Sequence, residues 1–315
     1  MASTLGLAGV AGIVAPIFAL IALGAAARVP WRGRCVLDAP GQRGLNDLTF
    51  YLLIPSLLFG SVAEGPPLIG LDAALWYFGC CLVVFGLGVA AGLRLLGMRL
   101  AAASVLGVNC AYGNTIMLGV PVVSAAFGPA GVQLLLPIVA LHTIVLLPLA
   151  TVLIEAEGGG GVVQRIGGIV SGLVRNPIVA GILAGVVWRG FGLPMPEPLH
   201  RLLAMLGAAA PTLALFSLGA SLPDFAARGS VRETGVALGL KLLVLPILVW
   251  GVVHAAGLDP LPAAVAVLTA AAPTGANAFF LARRTGTMAA ASAGMVVAST
   301  ALSILTLSAV LAFAV

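Results

Sequence analysis

Apolar runs about 20 residues long recur along the whole chain, and they constrain its fold more than any other feature. A helix of that length, rising about 1.5 Å per residue, crosses the roughly 30 Å hydrocarbon core of a bilayer. Hydrophobic residues make up 61% of the chain and charged residues 8%, whereas soluble domains carry about 25% charged residues. The runs are uniformly apolar and do not alternate as in a barrel. The sequence therefore predicts an all-α polytopic membrane protein.

Breaks of charged, glycine-rich or proline-rich sequence divide the chain into ten predicted spans. A glycine-rich segment at 155–175 is predicted to be a cytoplasmic linker, with a short interfacial helix near 162–173. It would separate a first five-helix repeat, 1–154, from a second, 176–315. The predicted spans are 5–27, 45–63, 72–96, 101–127, 130–154, 176–192, 200–222, 233–256, 261–282 and 288–314.

The positions of basic residues give an orientation, because cytoplasmic loops carry an excess of Arg and Lys. The loops on the other side hold only Arg189 and Arg201. This bias predicts a multi-pass protein of the cytoplasmic (inner) membrane with both termini on the extracytoplasmic side. The loops after spans 1, 3, 5, 7 and 9 hold Arg28, Arg32, Arg34, Arg43, Arg94, Arg99, Arg165, Arg175, Arg228, Arg232, Arg283 and Arg284.

The net charge of +5 forms no contiguous basic patch, so nucleic-acid binding is not expected. The four cysteines lack CxxC and Cys/His spacing, which predicts neither a disulfide framework nor a metal site. HExxH, GxSxG and paired aspartates are also missing from the sequence, which disfavours an enzyme.

Weak internal repetition links the two halves. Pro55 to Phe59 in span 2 is similar to Pro211 to Phe216 in span 7, and Val139 to His142 in span 5 corresponds to Val297 to Thr300 in span 10. Because each unit contains five spans, the second copy must enter the membrane from the opposite side. A 5+5 inverted repeat of this kind is common among secondary transporters.

Two spans carry polar residues together with glycine and proline at corresponding places, 109–121 in span 4 and 272–280 in span 9. Glycine and proline there predict interrupted helices, whose freed backbone groups and half-helix N-termini suit an anionic ligand. The alternative is that these residues are ordinary features of membrane helices, with the asparagines as interhelical contacts. The predicted substrate-binding residues are Asn109, Gly113, Asn114, Thr115, Pro273, Thr274, Gly275 and Asn277.

Three further residues are candidates for coupling or for support of the interrupted helices. Lys241, the single lysine, lies inside span 8, where charge is costly and often functional, although its stem could also extend to the interface. His142 lies in span 5 opposite Thr300 of the repeat and is interpreted either as a proton carrier or donor or as a hydrogen-bonded bundle histidine.

Several of these motifs together resemble the auxin efflux carrier family, which includes plant PIN proteins and bacterial carriers. They are Asn114-Thr115 with Leu118 to Pro121, Asn176-Pro177-Ile178, Ser217-Leu218-Gly219, Lys241-Leu242 with Pro246, and Pro273 to Asn277.

The resemblance implies a fold like that of bile-acid sodium symporters. Spans 1, 2, 6 and 7 would form a scaffold, and spans 3–5 and 8–10 a transport domain in which broken spans 4 and 9 cross. A homodimer and an elevator-type movement are also implied. The chain departs from the plant pattern at Gly113, where plant members usually have proline, and in its linker of about 20 residues.

The predicted function is secondary transport of a small organic anion, a carboxylate, across the lipid bilayer of the cytoplasmic membrane by an elevator-type alternating-access mechanism. No cofactor is expected, and coupling to protons, sodium or the membrane potential is left open. A channel-like pore or a nontransporting membrane sensor on the same fold is the alternative.

Overall fold

The computed structural model of the chain describes residues 7–30, 34–65, 70–156, 176–225 and 230–313. These residues form helices and no named strand, and an isolated antiparallel bridge pairs Gly113 with Thr274. The predicted all-α class is therefore confirmed for the described part of the chain. The predicted linker helix at 162–173 lies outside the described residues.

The described residues of the first half of the chain form seven α-helices. They are α1 Leu7–Ala27, α2 Ala39–Leu48, α3 Ile54–Ala63, α4 Leu71–Arg94, α5 Leu100–Ala111, α6 Val120–Leu141 and α7 Leu147–Ala156. Short π-helical segments at Thr49–Leu53, Thr115–Gly119 and His142–Leu146 join α2 to α3, lead into α6, and join α6 to α7.

The second half also contains seven α-helices among its described residues. They are α8 Pro177–Gly190, α9 Glu197–Ser221, α10 Val231–Gly239, α11 Leu245–Ala255, α12 Pro260–Ala270, α13 Ala276–Thr285 and α14 Ala289–Phe313. A π-helical segment at Leu240–Val244 joins α10 to α11, and a 3₁₀ turn at Leu222–Phe225 follows α9.

Within the described residues, seven helical stretches are long and apolar enough to cross a membrane. Three shorter apolar helices, α5, α8 and α12, accompany them. The seven are Ala8–Ala27, Ala39–Ala63, Leu71–Arg94, Thr115–Leu141, Glu197–Phe225, Val231–Ala255 and Ala289–Phe313. Large apolar side chains on their outer faces, such as Met205 (73% exposed) and Ile247 (68%), suit contact with lipid.

Helix boundaries differ from the predicted spans in two places. The helix of span 2 begins at Ala39, before the predicted 45, because Asp38 caps it by accepting from the Gly41 N–H at 2.8 Å. One of its early polar residues is hidden by packing, since buried Gln42 donates from Nε2 to Ser221 Oγ at 2.7 Å, whereas Arg43 and Asp47 are exposed. Predicted spans 4 and 5 meet inside α6, which changes direction at Gly128 (φ 63°).

The helices pack as two groups. In one, α1 packs along α9, and α3 along α8 and α9; in the other, α4 packs along α5, and α11 against α4 and α12. Glycines set the close approaches of the first group: a Cβ on Gly219 of α9 would overlap the Ile21 carbonyl of α1, and one on Gly181 of α8 would lie 2.7 Å from the Pro55 carbonyl oxygen. Small residues at helix contacts are typical of membrane packing.

Candidate functional site

Two helices are interrupted at the same place in the fold. The chain leaves α5 and passes through 112–114 before the helix resumes, and it leaves α12 and passes through 271–275 before α13 begins. The two interruptions meet side by side, with Gly113 opposite Thr274 in an antiparallel bridge. We call the residues 112–114 and 271–275 the crossing.

Backbone hydrogen bonds join the two strands of the crossing. The Asn114 N–H donates to the Pro273 carbonyl at 2.7 Å, and the Gly275 N–H donates to the Tyr112 carbonyl at 3.0 Å. An interrupted helix leaves backbone groups without helical partners, and lipid offers none. Each interruption therefore supplies partners for the other.

The residue types at the crossing match this geometry. Pro273 has no N–H with which to extend the helical hydrogen bonds, and α12 ends at Ala270, three residues before it. A Cβ on Gly275 would lie 2.9 Å from Tyr112 Cδ1 and 3.0 Å from the Gly113 carbonyl oxygen, tighter than real Cβ contacts tolerate without movement. Glycine at 275 thus permits the close approach of the two strands.

Buried polar side chains hold the crossing from behind. Asn109, fully buried on α5, donates from Nδ2 to the Val105 carbonyl at 2.9 Å and accepts from Ser292 Oγ at 2.9 Å. The backbone carbonyl of Asn109 accepts from Thr274 Oγ1 at 2.8 Å, and the Thr274 backbone N–H donates to Ser299 Oγ at 3.1 Å. The polar atoms of Asn109 and Thr274 are thus engaged within the protein.

Asn114 differs from these residues because only one of the two polar groups of its side-chain amide makes a hydrogen bond. Its Oδ1 accepts from the Met117 N–H at 3.2 Å and so caps the resumed helix, which begins with buried Thr115. Its Nδ2 is buried and has no hydrogen-bond partner, although the side chain is only 6% exposed. An unsatisfied buried donor costs about 1–3 kcal/mol, so Nδ2 is a natural contact for a ligand oxygen.

Asn277 lies in the first turn of α13, directly after the 271–275 strand of the crossing. Its Nδ2 donates to the Tyr112 hydroxyl at 2.8 Å, and the residue is partly buried. The helix resumed after Asn114 and α13 both begin at the crossing, so two helix N-termini converge there. Helix N-termini carry partial positive charge and favour anions.

Lys241 approaches the crossing from the π-helical segment between α10 and α11. The residue is fully buried, and its Nζ donates to the Ala270 carbonyl at the end of α12 at 2.8 Å. Nζ lies 3.5 Å from where a Cβ on Gly113 would be. The side chain therefore points into the protein and does not extend to the membrane surface.

His142 is also buried and lies next to the crossing. Its ring contacts the ring of Tyr112 at a centroid distance of 5.0 Å, and its Nε2 lies 3.5 Å from the Tyr77 hydroxyl. Nδ1 has no hydrogen-bond partner. Thr300, by contrast, donates to the Val296 carbonyl of its own helix at 2.7 Å, and it is Ser299 that bonds to the crossing.

A cavity of about 520 Å³ opens between α3, α6 and α9. Glu64 and His200 lie in its wall and are joined by a 2.7 Å contact between Oε1 and Nδ1. The crossing residues do not line it. Its polar lining side chains are Ser56, Ser61, Glu64, Ser124, Gln133 and His200.

In the described part of the chain, no group of three or more His, Cys, Asp or Glu side chains is placed to hold a metal ion. Its cysteines are free thiols, Cys35 exposed and the others buried. The expectation that no cofactor is used stays a prediction.

A protein-family model described as "Membrane transport protein" matches residues 10–311, nearly the whole chain. The chain belongs to this family, that of the auxin efflux carriers. The resemblance inferred from the motifs at the crossing is thereby confirmed. The family and the names of its relatives indicate a membrane transporter and not an enzyme.

Two curated relatives of this auxin efflux carrier family member are similar over most of its length. A protein of Rhizobium meliloti (strain 1021) named "Putative malonate transporter" is 30% identical over 314 residues, covering 97% of this chain and 96% of its own. A protein of Methanothermobacter thermautotrophicus named "Uncharacterized transporter" is 29% identical over 250 residues, covering 78% of this chain and 80% of its own.

The structure brings most predicted site residues of this family member to one place. Asn109, Gly113, Asn114, Thr115, Pro273, Thr274, Gly275 and Asn277 all lie in or beside the crossing, with Lys241 and His142 against it. Sequence reasoning did not single out Tyr112, Ser292 or Ser299. The two serines lie on α14 among other hydroxyl residues, and their presence alone did not distinguish them; those others are Thr300, Ser303, Thr306 and Ser308.

Proposed function

We propose that this protein is a secondary transporter that moves a small organic anion, a carboxylate, across the cytoplasmic membrane, with its substrate site at the crossing. The observation that carries the proposal is the unpartnered, buried Nδ2 of Asn114, beside two converging helix N-termini. A carboxylate oxygen is an acceptor for that donor, and its charge suits the two N-termini. The proposal requires no cofactor.

The comparison with the Rhizobium meliloti protein supports a carboxylate. Its name assigns it malonate, a dicarboxylate, and it is similar to this chain over nearly its whole length. We infer that this chain transports a mono- or dicarboxylate of similar size.

We further propose that the helices form ten spans in two inverted repeats of five. Spans 1, 2, 6 and 7, formed by α1, α2–α3, α8 and α9, would be a scaffold through which two copies form a homodimer. The remaining helices would be a transport domain that carries the crossing in an elevator-type movement. The mutual packing of α1 with α9 and of α3 with α8 supports this division.

The orientation follows from the distribution of arginines, with both termini on the extracytoplasmic side. In that orientation the cavity beside Glu64 and His200 opens to the extracytoplasmic side, at the boundary between scaffold and transport domain. We infer that it is part of the path by which the anion reaches the crossing.

The proposal can be tested by labelled-solute counterflow in proteoliposomes, across malonate and a panel of other mono- and dicarboxylates. Asn114→Asp is the informative variant, because aspartate keeps the Oδ cap for Met117 but replaces the Nδ2 donor with an oxygen. Loss of a hydrogen bond to a charged group costs about 1.5–3 kcal/mol, so exchange at low substrate should fall roughly 10- to 150-fold.

The matched control is Asn176→Ala, which removes an asparagine cap that accepts from the Ile178 N–H at 3.0 Å, at the start of α8 and away from the crossing. This variant should exchange substrate at a rate close to that of the wild type. If Asn114→Asp and wild type exchange substrate at the same rate, the proposal that the substrate binds at the crossing is wrong. Flux that does not saturate would indicate a pore, and no flux of any acid by folded protein would indicate a sensor.

A further inference from the structure

The ammonium group of Lys241 occupies a specific position at the crossing. It donates to the carbonyl of Ala270, the last residue of α12, and lies next to Gly113, just beyond the end of α5. The Lys241 side chain is therefore placed where two helices present their C-terminal ends. It is fully buried there, although a buried ammonium without compensation is costly.

The compensation comes from backbone and not from acidic side chains. Among the described residues, no Asp or Glu is buried, and the titratable groups closest to the ammonium are the thiols of Cys81 on α4 and Cys110 on α5, with the His142 imidazole also nearby. Carbonyl groups at a helix C-terminus act like roughly half a negative charge. Two such ends together approximate one negative charge, which a single ammonium balances.

The opposite side of the crossing has the complementary charge. The two resumed helices begin there, and two N-termini together act like roughly one positive charge. Asn114 Nδ2 lies on this side without a partner. One side of the crossing thus faces the Lys241 ammonium, and the other would be balanced when one carboxylate binds.

We propose that Lys241 is a tethered cation that takes the place of a coupling alkali cation at the crossing, so that this carrier exchanges its anion independently of sodium. The inference rests on the proposed function, and it adds the charge balance of the site. A sodium ion would need the same carbonyl oxygens that the ammonium occupies, because hard cations prefer oxygen ligands.

The transport test compares carboxylate counterflow in sodium medium and in choline medium of equal ionic strength and pH. Wild-type exchange should differ between the two media by less than about twofold. Lys241→Met keeps the length of the side chain but removes its charge, and should lower exchange about tenfold or more in both media. Lys241→Arg, which keeps the charge, should retain more activity than Lys241→Met. Arg201→Met, which removes an exposed cation paired with Glu197, serves as the control and should match wild type.

A second measurement does not depend on transport. The melting temperature of the purified, full-length protein in detergent should be the same in sodium chloride and choline chloride for wild type. Lys241→Ala opens space beside the Ala270 carbonyl, so its melting temperature should be lower and should rise specifically with sodium.

The two proposals fail in distinguishable ways. Wild-type exchange that requires sodium, or a sodium-specific rise in the wild-type melting temperature, would overturn the tethered-cation inference while leaving the carrier proposal intact. A Lys241→Met variant with wild-type exchange would overturn it as well. If wild type exchanges no acid, the carrier proposal fails, and the melting temperatures alone decide whether Lys241 acts as the cation.

Discussion

Alanine at Gly275 or at Gly113 adds one methyl group at the crossing. Comparing the two variants tests whether glycine is needed at 275 because the neighbouring atoms are close or because the backbone needs the conformational freedom of glycine. Gly275 has φ −76° and ψ 145°, a conformation open to alanine, so Gly275→Ala introduces no backbone strain. Its Cβ, however, would lie 2.9 Å from Tyr112 Cδ1 and 3.0 Å from the Gly113 carbonyl oxygen. Since one of these atoms is backbone, the two strands must move apart.

The expected cost can be set against that of Gly113→Ala. Overpacking a tight site costs about 1–3 kcal/mol, and a protein of this size loses about 2–4 °C in melting temperature for each kcal/mol. Gly275→Ala should therefore melt several degrees lower, and its exchange should fall strongly because the bridge that positions Asn114 is displaced. For Gly113→Ala the nearest atom is Lys241 Nζ at 3.5 Å, an ordinary contact.

The assay is a melting curve and carboxylate counterflow for both variants in the same lipid and detergent. Gly113→Ala should stay close to wild type in melting temperature. If Gly275→Ala were as stable and as active as Gly113→Ala, the two strands would not be in the close contact described above. The same result would show that the close approach of the two strands is not the reason for glycine at 275.

Two further predictions concern helix packing and the second asparagine. Gly219→Ala should lower the melting temperature, because the added Cβ would overlap the Ile21 carbonyl. The control Gly12→Ala, whose Cβ would have no atom within 4 Å, should leave the melting temperature unchanged or raise it slightly. Equal melting temperatures for the two variants would contradict the packing of α1 on α9. Asn277→Ala should reduce carboxylate exchange less than Asn114→Ala, because the Asn277 amide already donates to the Tyr112 hydroxyl. Exchange rates measured over a range of carboxylate concentrations for both variants check this, and a larger loss in Asn277→Ala would contradict it.

The sequence predicts the place of the crossing well because glycine, proline and asparagine are rare together inside apolar runs. The segments 109–121 and 272–280 contain both interruptions that the structure describes. Proline removes a backbone donor and, together with glycine and asparagine, favours an interruption, although proline alone does not end a helix in this protein, since Pro16 and Pro211 lie inside α1 and α9. The same reasoning holds for the all-α class, which follows from the length of the apolar runs.

The partners of individual polar atoms could not be predicted in the same way. Ser292 and Ser299 are two of several hydroxyl residues in α14, and such residues usually bond to their own backbone, as Thr300 does. Their contacts with Asn109 and Thr274 depend on how α14 packs against the crossing. The direction of the Lys241 side chain likewise depends on the end of α12, which is distant in sequence.

If the two halves form the proposed inverted repeat, Asn114 and Asn277 occupy equivalent positions, yet the structure gives them different partners. When these asparagines are aligned, Tyr112 of the first repeat corresponds to Gly275 of the second. The aromatic ring at 112 requires the absence of a side chain at 275, and its hydroxyl accepts from the Asn277 amide. One large and one minimal side chain therefore break the symmetry of the crossing. Because the Asn277 amide is used within the protein, the unpartnered donor falls to Asn114 alone of the two asparagines, so under the proposed function a carboxylate would meet a free side-chain donor on one side of the crossing only.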